Sequence, residues 1–188
     1  MVTVTASAVP RIGDPVDDHS LGKEHLEIWA KATGGGSAFT FGEVLCLPPG
    51  ATIAVAATTG AVGRFGVVVR LGDNYEATTG AGHMNTDTSN QVLVGTNGGR
   101  YYVKGTGAIK WNSEVQAAST GLIAQFVPAT YTTTTPANFT GPATEFERIV
   151  GIYEGHYKES LQSGGEPPTD ATTGQENLIL RVSGRYSQ

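Results

Sequence analysis

Ile28-Trp29-Ala30-Lys31-Ala32-Thr33-Gly34 comes again, in closely similar form, as Tyr101-Tyr102-Val103-Lys104-Gly105-Thr106-Gly107. Outward from these two copies the correspondence continues in the same order. Gly42-Glu43-Val44-Leu45-Cys46-Leu47 is answered by Ser113-Glu114-Val115-Gln116-Ala117-Ala118, the run from Gly63 to Arg70 by that from Glu147 to Glu154, and Gln91-Val92-Leu93-Val94-Gly95 by Leu180-Arg181-Val182-Ser183-Gly184. Four short matches in one order are much harder to obtain by chance than any one of them, and an internal repeat decides the architecture before any single motif does. The reading is an all-β protein: two tandem copies of a short-stranded β unit, 26–98 and 100–185, packed as one barrel- or sandwich-like body spanning 25–188, preceded by an extended N-terminal arm, 1–24.

The bulk composition agrees. A chain of 188 residues can bury a core without staples, and a 15% charged content with 26 glycines suits strands and turns better than helices. Little helix is expected. A formal net charge of -5 offers no basic patch to displace counterions, so nucleic acid is not an expected partner. No apolar run approaches the roughly 20 residues of a membrane helix, and the first residues, Met1-Val2-Thr3-Val4-Thr5-Ala6, lack the basic start and apolar stretch of a signal peptide. The expectation is a soluble protein made in the cytoplasm. The one cysteine, Cys46, cannot form an intrachain disulfide and lies in an apolar run, which reads as a buried, inert thiol.

Residues 1–24 carry Pro10, Pro15, Gly13, Gly22 and an acidic group at Asp14, Asp17 and Asp18, with few large apolar side chains. Such a segment has no core of its own. It is either a disordered tail or an arm that orders against a neighbouring subunit by adding backbone hydrogen bonds to an exposed strand edge. The body opens with Leu26, Ile28, Ala30 and Ala32 alternating onto one expected buried face. Phe65-Gly66-Val67-Val68-Val69 is apolar on both faces and reads as a central strand. Asn97-Gly98, between two strand-like runs, signals a hairpin. Two inserts, 129–144 and 158–176, interrupt the second copy and are candidates for partner contacts.

Chemical motifs are sparse. Histidines 19, 25, 83 and 156 show no metal-ligand spacing, and each reads as an ordinary polar residue. The run from Asn85 to Asn90 begins like a calcium loop, but its sixth position is Asn90 where glycine is required and its twelfth is Thr96 where glutamate is required. A looser cation site there, or at Asp14, Asp17 and Asp18, is left open. No nucleophile elbow, phosphate loop or dinucleotide fingerprint occurs. Glu145, Glu147 and Glu154 read as solvated strand-end charges, and Trp29, Trp111, Tyr101 and Tyr102 as core rather than a sugar-stacking platform.

In the second copy, Tyr102-Val103-Lys104-Gly105-Thr106-Gly107-Ala108-Ile109 with Glu114-Val115, then Arg148-Ile149-Val150-Gly151-Ile152-Tyr153, then Leu178-Ile179-Leu180-Arg181-Val182, resembles the small β-rich capsid decoration or cement proteins of tailed bacteriophages. Ser113-Glu114 stands where that family's pattern has Gly-Asp, and the two inserts are longer. The resemblance implies a β-tulip-like body with no catalysis, and the sparse motifs lead to the expectation of no cofactor and no metal. It implies a structural virion protein on the outer surface of the mature capsid, with the major capsid protein as partner and a homotrimer as assembly. Val9, Pro10, Arg11 and Ile12 of the arm, with Tyr131 and Pro136 of the first insert, are then the expected capsid contacts. The alternative is a carbohydrate-binding or adhesive β module of a virion or tail. A hydrolase would need a deep pocket lined by Glu147, Glu154 and His156.

Overall fold

Phe65-Gly66-Val67-Val68-Val69 is buried on both faces, and the rest of the chain is layered around it. A computed structural model describes residues 10–71, 85–128, 146–157, 170–172 and 177–184. Its strands are β1 (Leu26–Ala30), β2 (Val44–Leu47), β3 (Val55–Ala56), β4 (Arg64–Val68), β5 (Gln91–Gly95), β6 (Arg100–Val103), β7 (Glu114–Ala117), β8 (Ile123–Gln125), β9 (Ile149–His156) and β10 (Leu178–Val182). Helix is confined, among the described residues, to short turns such as the 3-10 helices Asp18–Leu21 and Ser119–Gly121.

The strands form two five-stranded antiparallel sheets, ordered β1-β5-β4-β2-β3 and β6-β10-β9-β7-β8. The two orders are the same, each strand of the first matched by the strand five places later in the second. The four matched sequence stretches fall on β1 and β6, β2 and β7, β4 and β9, and β5 and β10. β4 and β9 take the middle of their sheets, as their continuous apolar runs require.

The sheets share a core. Val44, Cys46, Phe65 and Val67 of the first pack with Tyr101, Val115, Tyr153 and Leu180 of the second. The other face of the first sheet is also dry, because Trp29, Leu45, Val68, Val92 and Val94 gather a second, smaller core under Phe39, Phe41 and Leu47. The Ala54 N–H donates to the Ala30 carbonyl at 2.9 Å, so the sheet curls round this core without closing a ladder.

That second core reverses the expected polarity of β1. Leu26 packs against the shared core, but Ile28 is 52% exposed and Ala30 and Ala32 face solvent. The buried face carries Trp29 and Lys31 instead. β1 is an edge strand, so its apolar row runs past the margin of the second sheet, while Trp29, opposite Val92, is covered from the other side.

Asn97 and Gly98 adopt the left-handed backbone expected of the turn, with φ of 49° and 86°. The strands it joins do not pair, however. β5 and β6 belong to different sheets. The turn spends its hydrogen bonds on the end of β10, with Gly98 N–H to Val182 O at 2.8 Å and Val182 N–H to Gly99 O at 3.0 Å. The link thus carries the chain from one sheet to the other. The Tyr101 ring occupies the space beside Gly95 and Gly99, where any Cβ would overlap it.

The described part of the arm is ordered against its own chain. Gly13 N–H donates to Tyr102 O at 2.7 Å, Tyr102 N–H to Asp14 O at 3.0 Å, and Val16 N–H to Arg100 O at 2.9 Å. These bonds cover the outer edge of β6, which would otherwise offer unpaired backbone groups to another chain. Residues 1–9 lie outside the described residues. The Tyr101 hydroxyl then anchors the following turn by donating to Ser20 O at 2.8 Å or His25 O at 3.1 Å. Tyr101→Phe is expected to cost about 1–2 kcal/mol by depriving those carbonyls of a donor. Gly95→Ala should cost about 1–3 kcal/mol by overpacking against the ring. Urea denaturation of the two variants checks both values.

Candidate interaction surface

The outer face of the second sheet is polar, and its charges are arranged across strands. Arg100 and Arg181 stand directly opposite one another on β6 and β10. Such a like-charged pair is unfavourable alone. Glu154 of β9 relieves it by accepting from Arg100 Nε at 2.7 Å and Arg181 Nε at 2.6 Å. Asp17 of the arm takes Arg100 from the other side at 3.0 Å. A surface cleft of about 290 Å³ opens farther along this face, lined by Glu114, Ile152, Arg181 and the Asn97-Gly98 turn. Gly151 lets the strands below it approach, since a Cβ there would meet the β10 backbone.

A second polar knot lies on the first sheet, beside the turn that crosses to the second. The Glu27 carboxylate accepts from the Trp29 indole at 2.9 Å, the Thr96 hydroxyl at 3.0 Å and the Asn97 amide at 3.2 Å, and pairs with Arg64. Burial alone raises its pKa, but the Trp29 bond, the Arg64 charge and the Thr96 bond outweigh it, so Glu27 is held below the usual range. Lys31 is 3% exposed, its ammonium donating to the carbonyls of Ala32, Ser37 and Thr86. Burial lowers its pKa against the opposing pull of Asp87.

Of the expected contact residues, Val9, Tyr131 and Pro136 lie outside the described residues. Pro10, Arg11 and Ile12 are half-buried against their own body. Arg11 pairs with Asp14 at 3.8 Å, and the Ile12 methyl occupies the space above Gly42. The first insert and most of the second are also outside the described residues; Ala171, within the second, bridges to Ile109.

Of the oxygens considered for a loose cation site, those of Asn85, Asp87, Asp14 and Asp17 are bonded within the chain. Asn85 Oδ1 accepts from Phe39 N–H at 2.9 Å, and the Asp87 carboxylate accepts from Ala38 N–H at 2.9 Å and Gly36 N–H at 3.4 Å. Those amide bonds hold the Asp87 carboxyl below its ordinary pKa. Asp14 pairs with Arg11 and Arg70, and Asp17 with Ser20 and Arg100. Cys46 is 2% exposed, and burial pushes its thiol up to about 11, so it stays protonated at neutral pH. Among the aromatics, Trp29, Tyr101 and Tyr102 are buried, whereas Trp111 is 49% exposed. His156 is buried with Nδ1 2.9 Å from the Tyr153 hydroxyl, and the cleft is not lined by Glu147, Glu154 or His156.

One grouping was not legible from spacing. Successive turns, Gly22 N–H to His19 O and His25 N–H to Gly22 O, both at 2.9 Å, fold the chain back so that His19 and His25 meet with their Nε2 atoms 3.1 Å apart. Glu24 lies beside them. The only trace in the sequence is two histidines and a glutamate within seven residues.

Acid should loosen the arm and the junction together. Burial raises Asp17, but its bonds from Ser20 and from Arg100 lower it further, leaving it, like Glu27, below its ordinary value. The folded chain therefore holds these protons less tightly than the unfolded one, whose carboxyls titrate at about 3.9 and 4.3. The stabilisation is complete above those values and is lost as pH falls through the lowered folded ones. Glu27→Gln is expected to cost about 1.5–3 kcal/mol at pH 7 and, with Asp17→Asn, to flatten the fall in stability between about pH 5 and pH 2. Urea midpoints measured across that range decide this.

Comparison with protein-family models, with curated proteins and with solved structures finds no match to this chain.

Proposed function

We propose that this protein is a structural binding protein of the capsid-decoration class, seated on the outer surface of a mature tailed-phage capsid with the major capsid protein as its partner. The observation that carries the reading is where the family-like segments fall. The stretches that resemble the decoration-protein pattern lie on β6, β7, β9 and β10, in the order of that pattern. The first half repeats the same strand order. A doubled, two-core body is a rigid knob suited to a repeated lattice site. Consistent with a binding rather than a catalytic role, Asp17, Glu27 and Glu154 are committed to ion pairs and Cys46 is buried and protonated.

A protein that binds only the expanded lattice stabilises it by RT ln(1 + [L]/Kd) per site, about 2.7 kcal/mol at a hundredfold excess over Kd. Contact with two capsid subunits at once adds effective concentration without a tight individual contact. A homotrimer at three-fold positions fits this role. In this reading the described part of the arm, residues 10–24, completes the body, and the capsid contact is assigned to residues 1–9, which lie outside the described residues.

The test is co-sedimentation of the purified protein with mature and with unexpanded capsids. Saturable binding to mature capsids is expected, with binding reduced at least about tenfold, or roughly 1.4 kcal/mol, when residues 1–9 are deleted. The melting temperature of that deletion should match the full chain. A protein that ignores capsids but is retained on a glycan array, with retention lost in Trp111→Ala, would replace this reading by the carbohydrate-binding one, for which the exposed Trp111 ring is the supporting feature.

A further inference from the structure

We propose that His19, His25 and Glu24 form a binding site for a divalent transition metal of the zinc class, which pins the arm to the head of β1. His25 is 8% exposed, and its Nδ1 lies 2.8 Å from the Asn97 carbonyl oxygen. A carbonyl only accepts, so Nδ1 carries the proton, and in the neutral ring the lone pair is on Nε2. Metal-ligating histidines are oriented in this way, by donating the far ring N–H to a carbonyl or carboxylate.

His25 Nε2 faces His19 Nε2 across 3.1 Å. Two imidazole nitrogens bound at about 2.0–2.1 Å to one metal stand about 2.8–3.0 Å apart at a right angle and about 3.3–3.4 Å apart at the tetrahedral angle. The observed separation lies between those limits. The Glu24 Oε1 atom is 3.8 Å from His25 Nε2, and the ligand atoms of all three residues lie within 4.8 Å of one another. Two nitrogens and one carboxylate oxygen suit zinc, cobalt, nickel or copper rather than calcium or magnesium, which take oxygen ligands. His19 and Glu24 are exposed, so a fourth position is open to water.

The two histidines are held by different parts of the fold. His19 sits on the 3-10 helix Asp18–Leu21, whose first turn is capped by the Asp17 carboxylate on Ser20 N–H at 2.9 Å. His25 is fixed from below by the Asn97-Gly98 turn between the sheets. A bound metal therefore joins the arm to the crossover link, and the site is independent of the capsid reading.

The experiment uses the isolated full chain after chelator treatment. Titration with Zn2+ by calorimetry, and with Co2+ by visible absorption, should show one equivalent bound. The Co2+ spectrum should have a d–d band without a thiolate charge-transfer band, which separates this site from Cys46. His19→Ala should weaken binding at least about tenfold and Glu24→Gln should weaken it less, while Zn2+ raises the melting temperature of the wild type and not of His19→Ala. His19 is exposed, so that variant folds. Failure of the wild type to bind Zn2+ or Co2+, or equal binding by His19→Ala, overturns the proposal.

Discussion

A phenol hydroxyl placed in a water-free core must find a partner inside the protein, and the fold is arranged so that Tyr101 finds two. Its ring is fully buried in the core shared by the two sheets. Its hydroxyl reaches the Ser20 and His25 carbonyls, which belong to the arm and the head of β1. Burial, reinforced by the nearby Asp17 charge, raises its pKa, so it remains a donor under ordinary conditions. Because the ring needs the space beside Gly95 and Gly99, it also dictates where the chain passes from the first sheet to the second. One side chain thus ties together arm, first half and second half.

The halves share a strand order but not an environment. The second sheet is dry on the shared face and wet on the other, where Arg100, Arg181 and Glu154 compensate one another. The first sheet is dry on both faces, and its edge strand β1 has to bring polar groups inside. Lys31 goes in bonded to three carbonyls, and the half-buried Glu27 is bonded to Trp29, Thr96, Asn97 and Arg64. Buried charges are tolerated only on those terms. The Lys31 bonds, with those from Gly34 N–H and the Ser37 hydroxyl to Asp87 O, lock the Gly34–Ser37 turn and the Thr86–Asp87 loop to the sheet.

The edges explain the arm. β6 is the outer strand of the second sheet, and residues 13–16 lie along it. At the opposite edge, Ile123 of β8 exchanges bonds with Lys104 and Thr106. The edges of the second sheet are therefore partly satisfied within the chain, which disfavours indiscriminate strand addition.

Periodicity and composition were enough to read the all-β class, the central place of β4 and the burial of Cys46, because each depends on local pattern or on composition. Three features depended on which surfaces meet. The inward face of β1 could not be read from its alternation, since a second core covers the side carrying Trp29 and Lys31. The Asn97-Gly98 turn formed as its residues require, yet its strands parted, because turn chemistry sets only local φ and ψ while backbone partners are chosen by the whole sheet. His19 and His25 met through two consecutive turns that place no periodic mark on the sequence. Local backbone preference is written residue by residue; burial and juxtaposition are settled only when distant segments compete for the same space.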